Sequence, residues 1–143
     1  MADIQRFPFV RHVRSNPNAY VLHYRRGKVK RSGRGLSFWA RPLSDSVVEV
    51  PTDDRDLTLV VHGRSSDYQD VTVQGILTYR PTDPARLAER VDFSLDLAGG
   101  NYVSQPIDRV EVLLSQLAQE EVLRYLARTT IRELLSDGIA RLR

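Results

Sequence analysis

The spacing of apolar residues changes once along this chain, at Pro81, and that change limits the possible folds more than any other feature. Before it, short strand-like runs appear at close spacing: Tyr20–Tyr24, Leu36–Ala40, Ser46–Val50, Leu57–His62 and Val71–Arg80. A period of two places successive side chains on opposite faces of a strand. In the longest run Val71, Val73, Leu77 and Tyr79 share one face, and Thr72, Gln74 and Thr78 the other. Turn chemistry separates the runs: glycines in Arg26-Gly27-Lys28 and Ser32-Gly33-Arg34-Gly35, Pro42 after Arg41, and the polar break Pro51-Thr52-Asp53-Asp54.

After Pro81 the period becomes helical. Asp83-Pro84 supplies an N-cap and a proline at the first helical position, followed by Leu87, Val91 and Phe93. Asp96 to Gln105, with Gly99-Gly100-Asn101, reads as a loop. From Ile107 onward Val110, Leu113, Leu114 and Leu117 make one stripe, and Val122, Leu123, Leu126, Ile131, Leu134 and Leu135 a second. A bend or break is expected near Gln119 or Arg128, and Ser136-Asp137-Gly138 reads as the cap of one more helix. Strands followed by helices define an α+β domain, here expected as an antiparallel, strongly curved sheet of about five or six strands with packed helices. Residues 1–18, where Pro8, Ser15, Asn16, Pro17 and Asn18 interrupt any period, read as a basic flexible arm. The domain is expected over 19–137, and 138–143 as the start of a C-terminal helix that is cut short.

The 143 residues contain no cysteine, which removes disulfide frameworks, thiolate metal sites and thiol nucleophiles together. His12, His23 and His62 have no metal-ligand spacing. No phosphate-binding glycine motif occurs, and Ser65-Ser66-Asp67 is not followed by any histidine that would complete a triad. No enzyme activity, cofactor or metal is expected. The net charge of +3 conceals an uneven distribution. From Ile4 to Ser44 there are ten basic residues and no acid, whereas residues 45–143 hold eleven basic and seventeen acidic side chains. No run approaches the roughly 18 apolar residues of a membrane span. No signal peptide is read at the N-terminus, because Phe7-Pro8-Phe9-Val10 is short and flanked by Arg6 and Arg11. A cytoplasmic location follows as an expectation, with peripheral contact at the inner face of the membrane.

Gly27, then Gly33-Arg34-Gly35-Leu36-Ser37-Phe38, Arg41-Pro42 and Val48-Glu49-Val50-Pro51 together form a recognisable pattern. It continues through Gln69 to Arg80, ending in Leu77-Thr78-Tyr79-Arg80, then Asp83-Pro84-Ala85-Arg86-Leu87, and closes with Thr130-Ile131-Arg132-Glu133-Leu134-Leu135-Ser136. In order and spacing, over residues 20–143, this resembles the SPFH or band 7 (prohibitin homology) domain of stomatin, prohibitin, flotillin and HflK/C, in a soluble bacterial-type form. The resemblance implies an α+β module without a catalytic centre or obligatory cofactor. It also implies proteins that form rings or cages and organise membranes or regulate membrane proteases and channels. In such proteins the closing helix leads into a coiled coil that drives oligomerisation, so a homo-oligomer is expected of the full-length protein, which either continues past Arg143 or lacks that device. The chain differs in two places: only Phe7-Pro8-Phe9-Val10 stands where most members carry a membrane segment, and Ser65-Ser66-Asp67-Tyr68-Gln69-Asp70 replaces the usual turn.

Two contact surfaces are read from the residues. Arg6, Phe7, Phe9, Val10, Arg11 and Arg14 combine shallow apolar anchors with positive charge, suited to an anionic membrane surface. Each Lys or Arg near such a surface gains about 1 kcal/mol, and buried apolar side chains add a few more. The competing reading packs these phenylalanines on the chain's own sheet. The alternative surface is the basic hairpin of Arg25, Arg26, Lys28, Lys30, Arg31 and Arg34, which suggests nucleic acid if Tyr24, Phe38 or Trp39 stack nearby. Phe38 and Trp39 are consecutive on a strand and point to opposite faces, so one of them at most serves stacking. A solvated hairpin tip is favoured over nucleic acid.

Overall fold

The computed structural model describes residues 1–141. It is α+β, with eight strands and three helices among the described residues: β1 (Asp3–Arg6), β2 (Arg11–Arg14), β3 (Ala19–Arg25), β4 (Lys28–Arg34), β5 (Ser37–Ala40), β6 (Asp45–Pro51), β7 (Arg55–Arg64), β8 (Asp70–Tyr79), α1 (Pro84–Arg90), α2 (Pro106–Leu126) and α3 (Ile131–Arg141). The strands form three antiparallel sheets, ordered β1-β2-β5, β4-β3-β6 and β7-β8, instead of one sheet of five or six strands. The chain divides into two compact units, one of residues 1–54 with 80–108, the other of residues 55–79 with the chain from Arg109 on.

In the first unit the expected arm is largely a hairpin. Asp3 lies opposite Arg14 and Ile4 opposite Val13, and β2 continues the pairing onto β5 with Val13 opposite Phe38. The pairing is stabilised by burying Ala2, Val13 and Phe38 in a core with Val21, Ala40, Val47, Leu95 and Leu97. The Ala2 amide also donates to the buried Glu49 carboxylate at 2.7 Å. β3 is the middle strand of its sheet, which explains why Val21, Leu22 and His23 are all buried in succession. It turns into β4 through Arg26 and Gly27, at φ 52° and 76°; positive φ at both central residues is what a tight type I′ hairpin needs. A β-carbon on Gly27 would meet nothing within 4 Å, so only backbone strain opposes it. Gly27→Val is therefore expected to cost about 1–2 kcal/mol, read as a lower urea midpoint with an unchanged slope.

In the second unit β7 and β8 pair over their full length, Arg55 opposite Tyr79 through Arg64 opposite Asp70. Val71, Val73, Leu77 and Tyr79 are half-buried, and Thr72, Gln74 and Thr78 exposed, as their alternation predicts. α2 comes close to β7 at Gly63, whose missing β-carbon leaves room for Leu123 and the fully buried Leu126. The helix ends after Leu126, at the more C-terminal of the two expected breaks. Leu113 and Leu117, expected on the inward stripe, are exposed. The next helix starts at a reciprocal capping box: the Thr130 amide donates to Glu133 Oε2 at 3.0 Å, and the Glu133 amide to Thr130 Oγ1 at 3.4 Å. Ser136-Asp137-Gly138 lies inside α3 and does not cap a new helix. Of the expected C-terminal segment, residues 142 and 143 lie outside the described residues. α1 begins as expected, with Asp83 Oδ1 accepting from the Arg86 amide at 3.1 Å and Pro84 at the first position.

Candidate functional site

The tip of the β1–β2 hairpin is Phe7-Pro8-Phe9-Val10, closed by the Phe7 amide donating to the Val10 carbonyl at 3.1 Å. Arg11 is committed to holding this turn. Its Nη1 donates to the carbonyls of Phe7 (2.6 Å) and Val10 (3.2 Å), and its Nε to the Leu97 carbonyl (3.2 Å). Three carbonyl acceptors fix the guanidinium, so Arg11 shapes the tip, and Arg6 and Arg14 are the expected arginines left with exposed side chains. The aromatic side chains fall into two situations. Phe7 is 43% exposed and its ring centroid lies 5.2 Å from that of Trp39, whereas Phe9 is 88% exposed.

Trp39 and His12 join this surface through strand register. β5 alternates, so Phe38 enters the core and Trp39 faces out, 54% exposed. His12 sits directly opposite Trp39, with ring centroids 4.9 Å apart, and its Nε2 shares a hydrogen bond of 2.9 Å with Ser37 Oγ. Leu43, in the loop between β5 and β6, is also fully exposed. The sequence signals for Trp39 were its position beside Phe38 and the alternation of β5. What it lies next to is set by pairing across the chain, which no local pattern shows.

The second surface, the β3–β4 hairpin, does hold the basic residues together. Arg26, Lys28, Lys30, Arg31 and Arg34 are exposed, and Arg25 is tied down by its Nε to Asp45 Oδ1 at 3.1 Å. Of the stacking candidates only Tyr24, half-buried on β3 opposite Val29, lies on this hairpin: Phe38 is buried against His23 (4.5 Å between ring centroids), and Trp39 belongs to the other sheet of the unit.

Behind these surfaces lies a buried polar knot. Asp45 accepts hydrogen bonds from His23 Nε2 (3.0 Å), Arg25 Nε, the Arg41 amide (3.1 Å) and Ser44 Oγ (2.8 Å). Burial pushes the Asp45 carboxyl up, but the Arg41 amide, the Ser44 hydroxyl, His23 and Arg25 together outweigh it and hold the group well below the usual carboxylate range. A histidine oriented by an aspartate is half of a nucleophilic triad. Here the imidazole is 2% exposed and its Nδ1 is buried without a partner, so it has no access to a substrate. Among the described residues no group of three or more His, Asp or Glu could hold a metal ion, and no helix is long and apolar enough to cross a membrane.

The family model described as SPFH domain / Band 7 family matches residues 13–142 of the chain. No curated protein matches it.

Proposed function

The chain belongs to the SPFH domain / Band 7 family, and from that premise we propose that it is a non-enzymatic scaffold module that assembles with further copies and touches an anionic membrane surface through its first hairpin. Family membership supports the scaffold character in general terms, since the family is generally non-enzymatic. The membrane reading rests on one observation. The β1–β2 tip presents Phe9 almost entirely to solvent and seats Phe7 against the exposed Trp39, with Arg6 at the foot of the turn and Arg14 at the far end of β2, opposite Asp3. Exposed rings at the tip, with guanidinium groups elsewhere on the same hairpin, suit the boundary between headgroups and acyl chains, where a ring has an apolar body to bury and a charge a phosphate to meet. Phe7, by packing on Trp39, acts as the support of this tip and Phe9 as its leading edge.

Vesicle co-sedimentation tests the reading. The chain is expected to pellet with vesicles rich in phosphatidylserine and not with phosphatidylcholine alone. Because a buried phenyl is worth about 1.5–3 kcal/mol, Phe9→Ser is expected to lower the partition coefficient about tenfold or more. Equal binding to both vesicles, or indifference to Phe9→Ser, overturns the membrane contact. Light scattering addresses assembly separately, with a mass of several chains as the expected result and a monomer at all concentrations as the contrary one.

A further inference from the structure

The other hairpin of this unit leaves a sheet edge open. β4 is the outer strand of β4-β3-β6, and its residues are exposed except for the half-buried Gly33. In an antiparallel pair, alternate N–H and C=O groups of an outer strand point away from the partner, forming a template on which another strand can be added. No strand among the described residues pairs with this edge. Its side chains select what can. Lys28, Lys30, Arg31 and Arg34 stand on it and Arg26 at its turn, while Asp45, on β6 at the other side of β3, is occupied with Arg25 and His23. A shallow hollow of about 390 Å³ lined by Arg25, Arg26, Lys28, Val29 and Lys30 adjoins the turn, and Val29 is half exposed within it.

Three features narrow the occupant. A second β4 would bring like charges face to face across the new ladder, which disfavours self-pairing. Single-stranded nucleic acid needs aromatic platforms, yet β4 has no aromatic residue, and Tyr20 and Tyr24, opposite Arg34 and Val29, are half-buried on β3. An extended acidic peptide satisfies both the open main-chain groups and the cations. We propose that the outer edge of β4 accepts an acidic polypeptide segment as a fourth strand of this sheet. A bulge interrupts the edge at Lys30, which has no partner between Val29 and Arg31, so the new ladder divides into Lys28–Val29 and Arg31–Arg34. Short ladders leave much of the attraction to charge, and the binding is correspondingly salt-sensitive.

Fluorescence anisotropy on the whole chain tests this with a labelled peptide of about ten residues alternating glutamate and valine. The comparison probes are the same peptide N-methylated at alternate amides, a thymidine oligonucleotide of similar length, and phosphatidylserine vesicles. The glutamate–valine peptide is expected to bind at about 50 mM salt and to weaken about tenfold or more by about 300 mM. N-methylation, which removes ladder donors and keeps every charge, is expected to weaken it about tenfold. Lys28→Glu with Lys30→Glu is expected to do the same, and the amides of Arg31–Arg34 to exchange more slowly in the complex. Three results overturn the proposal: no peptide binding at low salt, equal binding of the N-methylated peptide, or an oligonucleotide or vesicle that binds more tightly than the peptide. Because the N-methyl comparison uses the unaltered protein, it decides the matter even if the double variant does not fold.

Discussion

Asp45→Ala is expected to lower the stability of the first unit by about 3–5 kcal/mol, the range for removing one member of a buried charged pair. The carboxylate is fully buried and serves four donors, so its loss strands all of them at once. His23 would then have neither ring nitrogen satisfied while its ring stays stacked on Phe38 in the core. The Arg41 amide and the Ser44 hydroxyl would also lose their acceptor in the β5–β6 loop, and with it the loop would lose its shape. The pH dependence follows from the depressed pKa of the group. Its contribution is complete above the ordinary aspartate value of about 4 and is lost as pH falls toward the lower folded-state value. Urea unfolding at neutral and acid pH is therefore expected to show stability falling on acidification in the parent chain and a shallower fall in Asp45→Ala. A cost below about 1 kcal/mol at neutral pH, no more than one ordinary hydrogen bond, contradicts this account.

Leu126→Ala is expected to cost the second unit about 2–5 kcal/mol, the range for a buried leucine. The side chain has no exposed surface, and one of its methyl carbons lies 2.8 Å from where a β-carbon on Gly63 would sit. That geometry gives the prediction a second, sharper arm. Gly63→Ala alone forces Leu123 and Leu126 to move and is expected to destabilise, by about 1–3 kcal/mol for overpacking. In the Leu126→Ala background the same methyl enters space already vacated on one side. The two changes together are thus expected to cost less than the sum of each alone, with a coupling of about 0.5–3 kcal/mol. Additive costs in a double-mutant cycle would mean that α2 and β7 do not share this contact.

Alternation revealed β5, β7 and β8 in the sequence because each buries about one side chain in two, whereas β3 and β6, which bury several in succession, showed as short apolar runs between turn residues, and Asp83-Pro84 announced α1. The hairpin of β1 and β2 was illegible for a physical reason. It contributes only Ala2, Ile4 and Val13 to the core, too few to set a period, while Pro8 and Pro17 suggested irregular chain and in fact lie outside the strands. β4 gave no signal because an outer strand of basic residues buries nothing. The division into three sheets depends on partners such as β2 and β5, joined by register and not by local pattern. Thr130-Ile131-Arg132-Glu133 has the residues of a capping box, which the reading of Ser136-Asp137-Gly138 as the cap of a further helix passed over. The start at Thr130 is reinforced by the Asp67 carboxylate, a further acceptor for the Ile131 amide at 3.1 Å that is distant in sequence. At the β1–β2 tip, the exposure of Phe9 fits its place in a short proline turn, but the dedication of Arg11 to the turn carbonyls was not legible in the sequence.

The order in which the chain enters its two units bears on how it can be made. β6 is completed by residues far along the chain: the Leu95 amide donates to the Val47 carbonyl at 2.8 Å, and the Glu49 amide to the Phe93 carbonyl at 3.2 Å. Leu95 and Leu97 are core residues, so a nascent chain that has not yet emerged to Leu97 cannot close the first core. The excursion through β7 and β8 lengthens that wait but eases closure once it is over. Its ends meet, with Arg80 Nε 3.6 Å from Asp54 Oδ1, so a hairpin that zips locally brings the returning segment back beside β6 and reduces the entropy of loop closure. A substitution in the turn between β7 and β8, remote in sequence from the first core, would then slow the assembly of that core during synthesis while leaving its packing untouched.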